Sequence, residues 1–220
     1  MLFTPIFRDR TQAGEELAKE ILLRISLEHP DQNGRIVVYA LPRGGVPVAV
    51  PIAKRLQSPL SVIVAKKITL PDNPELALGA VTSDGHVLWS KRKPLDPHLQ
   101  QTMLEQAQTK AQQGWELLSP ACPDVNPQGA LALIVDDGIA TGMTMAVAAK
   151  ALKVDHPVAI WICVPVAPLE LIPYLQQLCD RVIVLETPHP FFNVSRFYQE
   201  FDQVETETAL SYLQQQIWVQ

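Results

Sequence analysis

Cysteine is scarce in this sequence: Cys122, Cys163 and Cys179 are the only three in 220 residues. None forms a C-x-x-C pair, so neither a disulfide framework nor a structural zinc site is expected, and the thiols suit a reducing compartment. Long apolar runs are missing too. The longest, Ala159–Leu169, contains Pro165 and Pro168 and is far shorter than the roughly 20 residues that a membrane span needs. Met1–Arg10 carries Arg8, Asp9 and Arg10 and no apolar core of signal-peptide length. Basic residues are outnumbered, 18 Lys+Arg against 23 Asp+Glu, for a net charge of −5. That balance argues against a strongly basic nucleic-acid surface. The expectation is a cytoplasmic protein with no membrane segment and no nucleic-acid partner.

What is present is an ordinary globular composition, 47% hydrophobic and 19% charged, in a chain long enough to bury a core without metal or disulfide staples. Proline is abundant, 19 residues where an average usage of ~5% would give roughly 11. The prolines cluster at 71/74, 94/97, 120/123/127, 165/168/173 and 188/190, which marks connections between elements. Between the clusters, helix and strand patterns alternate. Thr11 is placed to cap a helix running to about Leu27. Arg35–Leu41 and Leu60–Ala65 read as apolar strands. Val46–Gln57 reads as a helix interrupted by Pro51.

Ala77–Trp89 reads as a hairpin turning at Ser83–His86, where Asp-Gly favours positive φ. Asp96–Pro97 is an N-cap and first-position pair. It opens a long helix with Leu104, Ala107, Ala111, Trp115 and Leu118 along one stripe. Ala130–Val135, Val158–Val164 and Arg181–Leu185 read as strands. Met143–Val154, Leu169–Leu178 and about Glu205–Gln216 read as helices. Short, wholly apolar strands separated by helices predict an α/β fold with a doubly wound parallel sheet. In such folds ligands bind beyond the carboxyl ends of the strands.

The strand LALIV is followed by Asp136, Asp137, Gly138, Ile139, Ala140, Thr141, Gly142, Met143 and Thr144, and then a helix. Free N–H groups at a helix start favour a phosphate. Gly142 lets the backbone approach it, and Thr141 and Thr144 add hydroxyl donors. The two carboxylates cannot serve that phosphate, because like charges repel. They suit hydroxyls, or a metal bridging hydroxyls. A group with a phosphate and hydroxyls a few ångströms apart is a ribose 5-phosphate. The bland alternative is a βα turn in which Asp137 caps the helix.

Leu133–Thr144, LIVDDGIATGMT, resembles the phosphoribosyl-pyrophosphate (PRPP) signature of type I phosphoribosyltransferases. The resemblance implies that Asp136 and Asp137 contact the ribose 2′- and 3′-hydroxyls, and thereby a Mg²⁺ ion indirectly. It implies that Ala140, Thr141, Gly142, Met143 and Thr144 wrap the 5-phosphate. Gly138 stands where the family frequently has a branched apolar residue. After the strand VVYAL comes Pro42–Arg43–Gly44–Gly45. Two glycines there permit unusual backbone, and Arg43 offers a planar fork for phosphate oxygens. In the family this loop binds pyrophosphate, often with a cis non-proline peptide, which assigns Arg43, Gly44 and Gly45 to it.

Lys66 and Lys67 follow the strand SVIVA, and both could stabilise departing pyrophosphate. Ile68–Leu78, with Pro71, Asp72, Asn73 and Pro74, reads as a mobile loop, and the family carries a flexible closing loop at this place. Glu75 is a candidate acid, base or metal partner in it. KKITLPDNPELALGAV also resembles a branch of uncharacterised bacterial phosphoribosyltransferase-domain proteins.

The resemblance further implies a hood over the sheet edge that holds the acceptor. Here it would come from about 186–220 with a contribution from 1–12, around a core of about 30–185, all in one phosphoribosyltransferase domain over 1–220. Phe191 and Phe192 are the candidate acceptor platform, with Phe197, Tyr198 and His189 as further hood residues. Lys91–Lys93 reads as a solvent-facing basic run, and Cys163 as inert core. The implied activity is a glycosyltransferase reaction, Mg²⁺-dependent phosphoribosyl transfer from PRPP to a nucleobase. Its catalytic residues would be Asp136, Asp137, Arg43, Lys66 and Lys67, and a homodimer fits the family. The alternatives are a non-catalytic PRPP-sensing regulator on the same fold and a phosphate-ester hydrolase.

Overall fold

In the computed structural model, the structure describes residues 5–28, 34–70, 73–90 and 96–215. The side chains of Pro74 and Glu75 and the basic run Lys91–Lys93 lie outside the described residues. Strands β1 (Ile36–Ala40), β2 (Leu60–Val62), β6 (Leu131–Val135), β7 (Ala159–Val166) and β8 (Arg181–Glu186) form one sheet in the order β2-β1-β6-β7-β8. Every pairing in it is parallel. Successive side chains of a strand point to opposite faces, and here both faces are covered. Val38, Ala40, Leu133 and Val135 pack under α1 (Arg10–Glu28), α2 (Gly45–Leu56) and α6 (Thr206–Gln214). Val37, Tyr39, Ala132 and Ile134 pack against α4 (Met143–Val154) and the short α5 (Ile172–Leu175). That two-faced burial is why these strands read as unbroken apolar runs, and it confirms the doubly wound sheet.

A second, antiparallel sheet is made of β3 (Ala65–Leu70), β4 (Asn73–Thr82) and β5 (Val87–Trp89). It packs Ile68, Leu78 and Val81 on Met103 and Ala107 of α3 (Pro97–Leu118), with α4 against it as well. This corrects the expectation of a mobile loop over Ile68–Leu78. Register shifts fall at Ile68–Leu70, and Pro71 and Asp72 lie outside the described residues. The expected strand Leu60–Ala65 is likewise two elements, because the chain leaves the main sheet after Val62.

Other differences are local. Asp9, not Thr11, caps α1: its Oδ1 accepts the N–H of Gln12 at 2.8 Å. The helix holding Pro51 runs uninterrupted. A Cβ on Gly14 would stand 2.3 Å from the Val48 carbonyl oxygen and 2.6 Å from Pro51 Cγ. Close packing of α1 on α2 therefore outweighs the poor helix propensity of proline. On α3 the Asp96 cap is as expected, accepting from His98 and Leu99. Its buried face holds Met103, Ala107, Ala111 and Leu118, while Trp115 is exposed. The expected helix Leu169–Leu178 shrinks to a 3₁₀ turn and the four residues of α5.

The two ends of the described chain meet. Ile6 and Phe7 donate their N–H groups to the Phe197 carbonyl at 3.0 and 2.9 Å, and Gln199 donates to Phe7 at 2.9 Å. Phe7, Tyr198 and Phe201 stack in series, with ring centroids 5.4 and 5.0 Å apart.

Candidate functional site

The site forms where β1 and β6 end side by side. Asp136 and Asp137 follow β6 directly. Asp136 Oδ1 accepts the N–H of Asp137 at 2.8 Å, which fixes the first carboxylate against the turn. The Tyr198 hydroxyl donates to the Asp137 carbonyl at 2.6 Å. Burial and the neighbouring Asp137 charge push the Asp136 carboxyl well above the usual carboxylate range. Burial also raises Asp137, but the Arg10 guanidinium opposes it.

Arg10 is the residue the sequence reading missed. Its Nε donates to Asp137 Oδ2 at 2.8 Å, and the two side chains are only 11% and 15% exposed. Its Nη1 donates to the Asp202 carbonyl at 2.8 Å, and its guanidinium lies 3.7 Å from the Phe201 ring centroid. No local motif marks it, because it lies 127 residues from its partner.

The loop after β1 closes the other side. The Pro42–Arg43 peptide is cis. A Cβ on Gly44 would stand 2.2 Å from Asp137 Oδ2, and one on Gly45 would stand 2.7 Å from the Val135 carbonyl oxygen. Both glycines are thus required by the approach of the β1 loop to the aspartates. Arg43 reaches outward, with Nη1 3.2 Å from Glu205 Oε2 and 3.4 Å from Thr206 Oγ1.

A recess of about 180 Å³ lies next to Asp136, lined by Lys67, Asp136, Gly138, Ile139, Ala140, Thr141, Gly142, Thr144, Met145 and Val194. Gly142, at φ 76°, takes the left-handed conformation before α4, which frees the first N–H groups of that helix toward the recess. The structure therefore brings Lys67, Asp136 and the 140–142 loop with Thr144 together. Met143 does not line the recess; Met145 does. Lys66 and Lys67 part company, as neighbours on a strand must. Lys66 lies toward Arg43 and Lys110, and burial together with these two charges lowers its pKa. Gly138 packs on the hood: a Cβ there would meet Val194 Cγ1 at 2.7 Å and Val166 Cγ1 at 2.8 Å.

The two candidate platform rings differ. Phe191 packs on Phe197, with centroids 5.2 Å apart, whereas Phe192 is 66% exposed with the Arg196 guanidinium over it. His189 is exposed, and Phe197 and Tyr198 are buried in the packing between the termini. Cys163 is wholly buried, and burial raises its thiol pKa. A larger recess of about 500 Å³ runs along β2, lined among others by Tyr39, Trp115 and Asp155, and it contains none of the residues above. No helix among the described residues is long and apolar enough to cross a membrane.

Comparison with known proteins places this arrangement. The phosphoribosyl transferase domain matches residues 9–200. The provisionally named phosphoribosyl transferase Rv0571c of Mycobacterium tuberculosis H37Rv is 34% identical over 212 residues, covering 94% of this chain and 46% of that protein. Its counterpart in strain CDC 1551 gives the same values. The chain thus spans about half the length of these curated relatives. The crystal structure of TT1426 from Thermus thermophilus superposes with a TM-score of 0.77 at 30% identity, covering 95% of this chain and 98% of that one.

Proposed function

The chain belongs to the phosphoribosyl transferase domain family, and on that premise we propose that it transfers the phosphoribosyl group of PRPP to a nucleobase, releasing pyrophosphate. The observation that carries this reading is the joint placement of Asp136, Lys67 and an open helix start around one recess, with Asp137 next to it on the same turn. A phosphate fits the N–H groups of α4, with Thr141 and Thr144 as further donors. The ribose hydroxyl edge then faces Asp136 and Asp137. The β1 loop, through Arg43, Gly44 and Gly45, takes the pyrophosphate. Lys67 lines the phosphate recess and Lys66 stands toward Arg43, so the two lysines serve different ends of the substrate.

Departure of pyrophosphate leaves positive charge on the ribose ring. Asp136 and Asp137 offset that charge, and Arg43 with Lys66 stabilises the leaving group. The acceptor nitrogen attacks from the opposite face. The protein supplies position and electrostatics rather than a covalent intermediate. Residues 186–215 with the N-terminal arm serve as the hood over the acceptor, and of the two candidate rings only Phe192 is free enough to meet a base. The domain is a single unit in this reading, and the setting is a cytoplasmic salvage reaction.

Asp136 and Asp137 would hold Mg²⁺ indirectly, through the substrate, and the ion would supply positive charge against the pyrophosphate. No group of three or more His, Cys, Asp or Glu among the described residues would hold an ion by itself. That suits an ion carried by substrate oxygens.

Calorimetric titration with PRPP, with and without Mg²⁺, tests the assignment. Binding that needs Mg²⁺ and is weakened by about tenfold or more in Asp137→Asn is the expected result. Unchanged PRPP binding by Asp137→Asn would refute the placement of the ribose.

A further inference from the structure

Asp136 and Asp137 are adjacent carboxylates whose like charges repel, and the Arg10 charge favours the ionised form of both. Lys67 lines the recess beside Asp136. Asp137 is matched by Arg10, which arrives on the first turn of α1 through the pairing of the N-terminal arm with Phe197–Glu200. The guanidinium has no slack. It is held by Asp137 Oδ2, by the Asp202 carbonyl and by the face of Phe201. On the other side of the same Oδ2, Gly44 closes the space. The main-chain carbonyl of Asp137 is fixed by Tyr198. One carboxylate oxygen, Oδ2, is thereby held by Arg10 with Gly44 close against it.

We infer that Arg10 is a positioning residue for the phosphoribosyl site, holding Asp137 in the one orientation that presents Oδ1 to the ribose hydroxyls. This inference rests on the reading of the site as a PRPP site. A planar fork is required, because one side chain must meet a carboxylate and a carbonyl in fixed directions while stacking on a ring. A lysine is a point charge and cannot do all three. The arrangement also makes the N-terminal arm part of the site as well as part of the hood. Displacing Phe201 or Asp202 would release the Asp137 side chain.

A merely structural arginine, stapling the arm to the C-terminal segment, would cost stability without touching PRPP binding through Asp137. A double-mutant cycle on PRPP affinity separates the two. Arg10→Gln should weaken PRPP binding by about 10- to 100-fold, a range set by couplings between residues in contact. Asp137→Asn should weaken it at least as much. Arg10→Gln added to Asp137→Asn should then cost nothing further. Arg10→Lys, which keeps the charge, should lose about tenfold in a chain whose melting temperature stays near that of the unmodified protein. It keeps the test open if Arg10→Gln does not fold.

Full PRPP affinity in Arg10→Lys and Arg10→Gln, or additive losses in the cycle, would overturn the inference. An unmodified chain that binds no PRPP at all would overturn the reading of the site itself, which is a distinct result.

Discussion

Gly44 faces Asp137 so closely that a Cβ built on it would stand 2.2 Å from Oδ2, the oxygen that Arg10 holds. Gly44 itself has ordinary helical dihedrals, φ −62° and ψ −33°. The glycine is therefore there for space, not for backbone freedom. Gly44→Ala should push the carboxylate aside and, by disturbing the Arg10 pair, lower the melting temperature. A displacement of about 1 Å can cost ~10² in rate, and a loss of that order in kcat/KM for PRPP is expected. Steady-state kinetics on the folded variant, below its melting temperature, checks it.

Asp136 provides a prediction about stability. Burial and the adjacent Asp137 raise its pKa above the ordinary value, so the folded state holds its proton more tightly than the unfolded one. Folding is then penalised as pH rises from the unfolded pKa, near 3.9, through the higher folded one. Asp136→Asn removes the penalty. It should raise the melting temperature at pH 7 by roughly 2–4 °C for each kcal/mol relieved, and the gain should vanish below about pH 4. Melting curves of both proteins from pH 3.5 to 8 decide the matter. Equal melting temperatures at pH 7 would contradict the assigned burial.

Gly138 and Val194 fit together as glycine and filler. The Val194 methyls occupy the space that a side chain at 138 would need, which explains why a glycine replaces the branched residue frequent at this point of the motif. Gly138→Ala should lift the 194–197 turn away from the recess and lower activity by about tenfold or more, a size comparable to other close-packing errors of 1–3 kcal/mol. Val194→Ala in the same chain should restore part of it, since Val166 Cγ1 still stands 2.8 Å from the added Cβ. Two losses that simply add would show that the residues do not share this space.

Arg43 and Glu205 pair across the edge of the site at 3.2 Å, with Glu205 56% exposed. In the proposed function, pyrophosphate oxygens compete with that carboxylate for the same fork. Exposed pairs contribute about 0.2–1 kcal/mol, so Glu205→Gln should lower the KM for PRPP by at most about fivefold. Its melting temperature should hardly move. A raised KM would show that Glu205 assists the substrate instead.

The sequence made one part of this site readable for a physical reason. Asp136 to Thr144 are contiguous, so a single βα turn carries the two aspartates, the recess-lining residues 140–142 and the helix start. Arg43–Gly45 is similarly local. The parallel sheet was legible because strands buried on both faces are apolar throughout. Arg10 and Glu205 were not legible, since each meets its partner only through the folding of the two chain ends onto the sheet edge, 127 and 162 residues away. The β3–β4 hairpin was misread because Pro71–Pro74 resembles a loop, while the pairing that makes it a sheet depends on support from α3. Lys66 and Lys67 are alike in sequence, and only the strand's alternation separates them.

Phosphoribosyl transfer is the claim on which the rest depends, and pyrophosphate release measures it most directly. The unmodified chain is incubated with PRPP and Mg²⁺ against a panel of purine and pyrimidine bases. The account predicts release that depends on one base and falls by ~10²–10³ in Arg43→Ala or Asp137→Ala, the size seen when a well-placed electrostatic group is removed. Lys19→Ala, on the exposed face of α1, should leave it unchanged. No release with any base, from a chain that binds PRPP, would contradict transfer and favour a PRPP-sensing regulator.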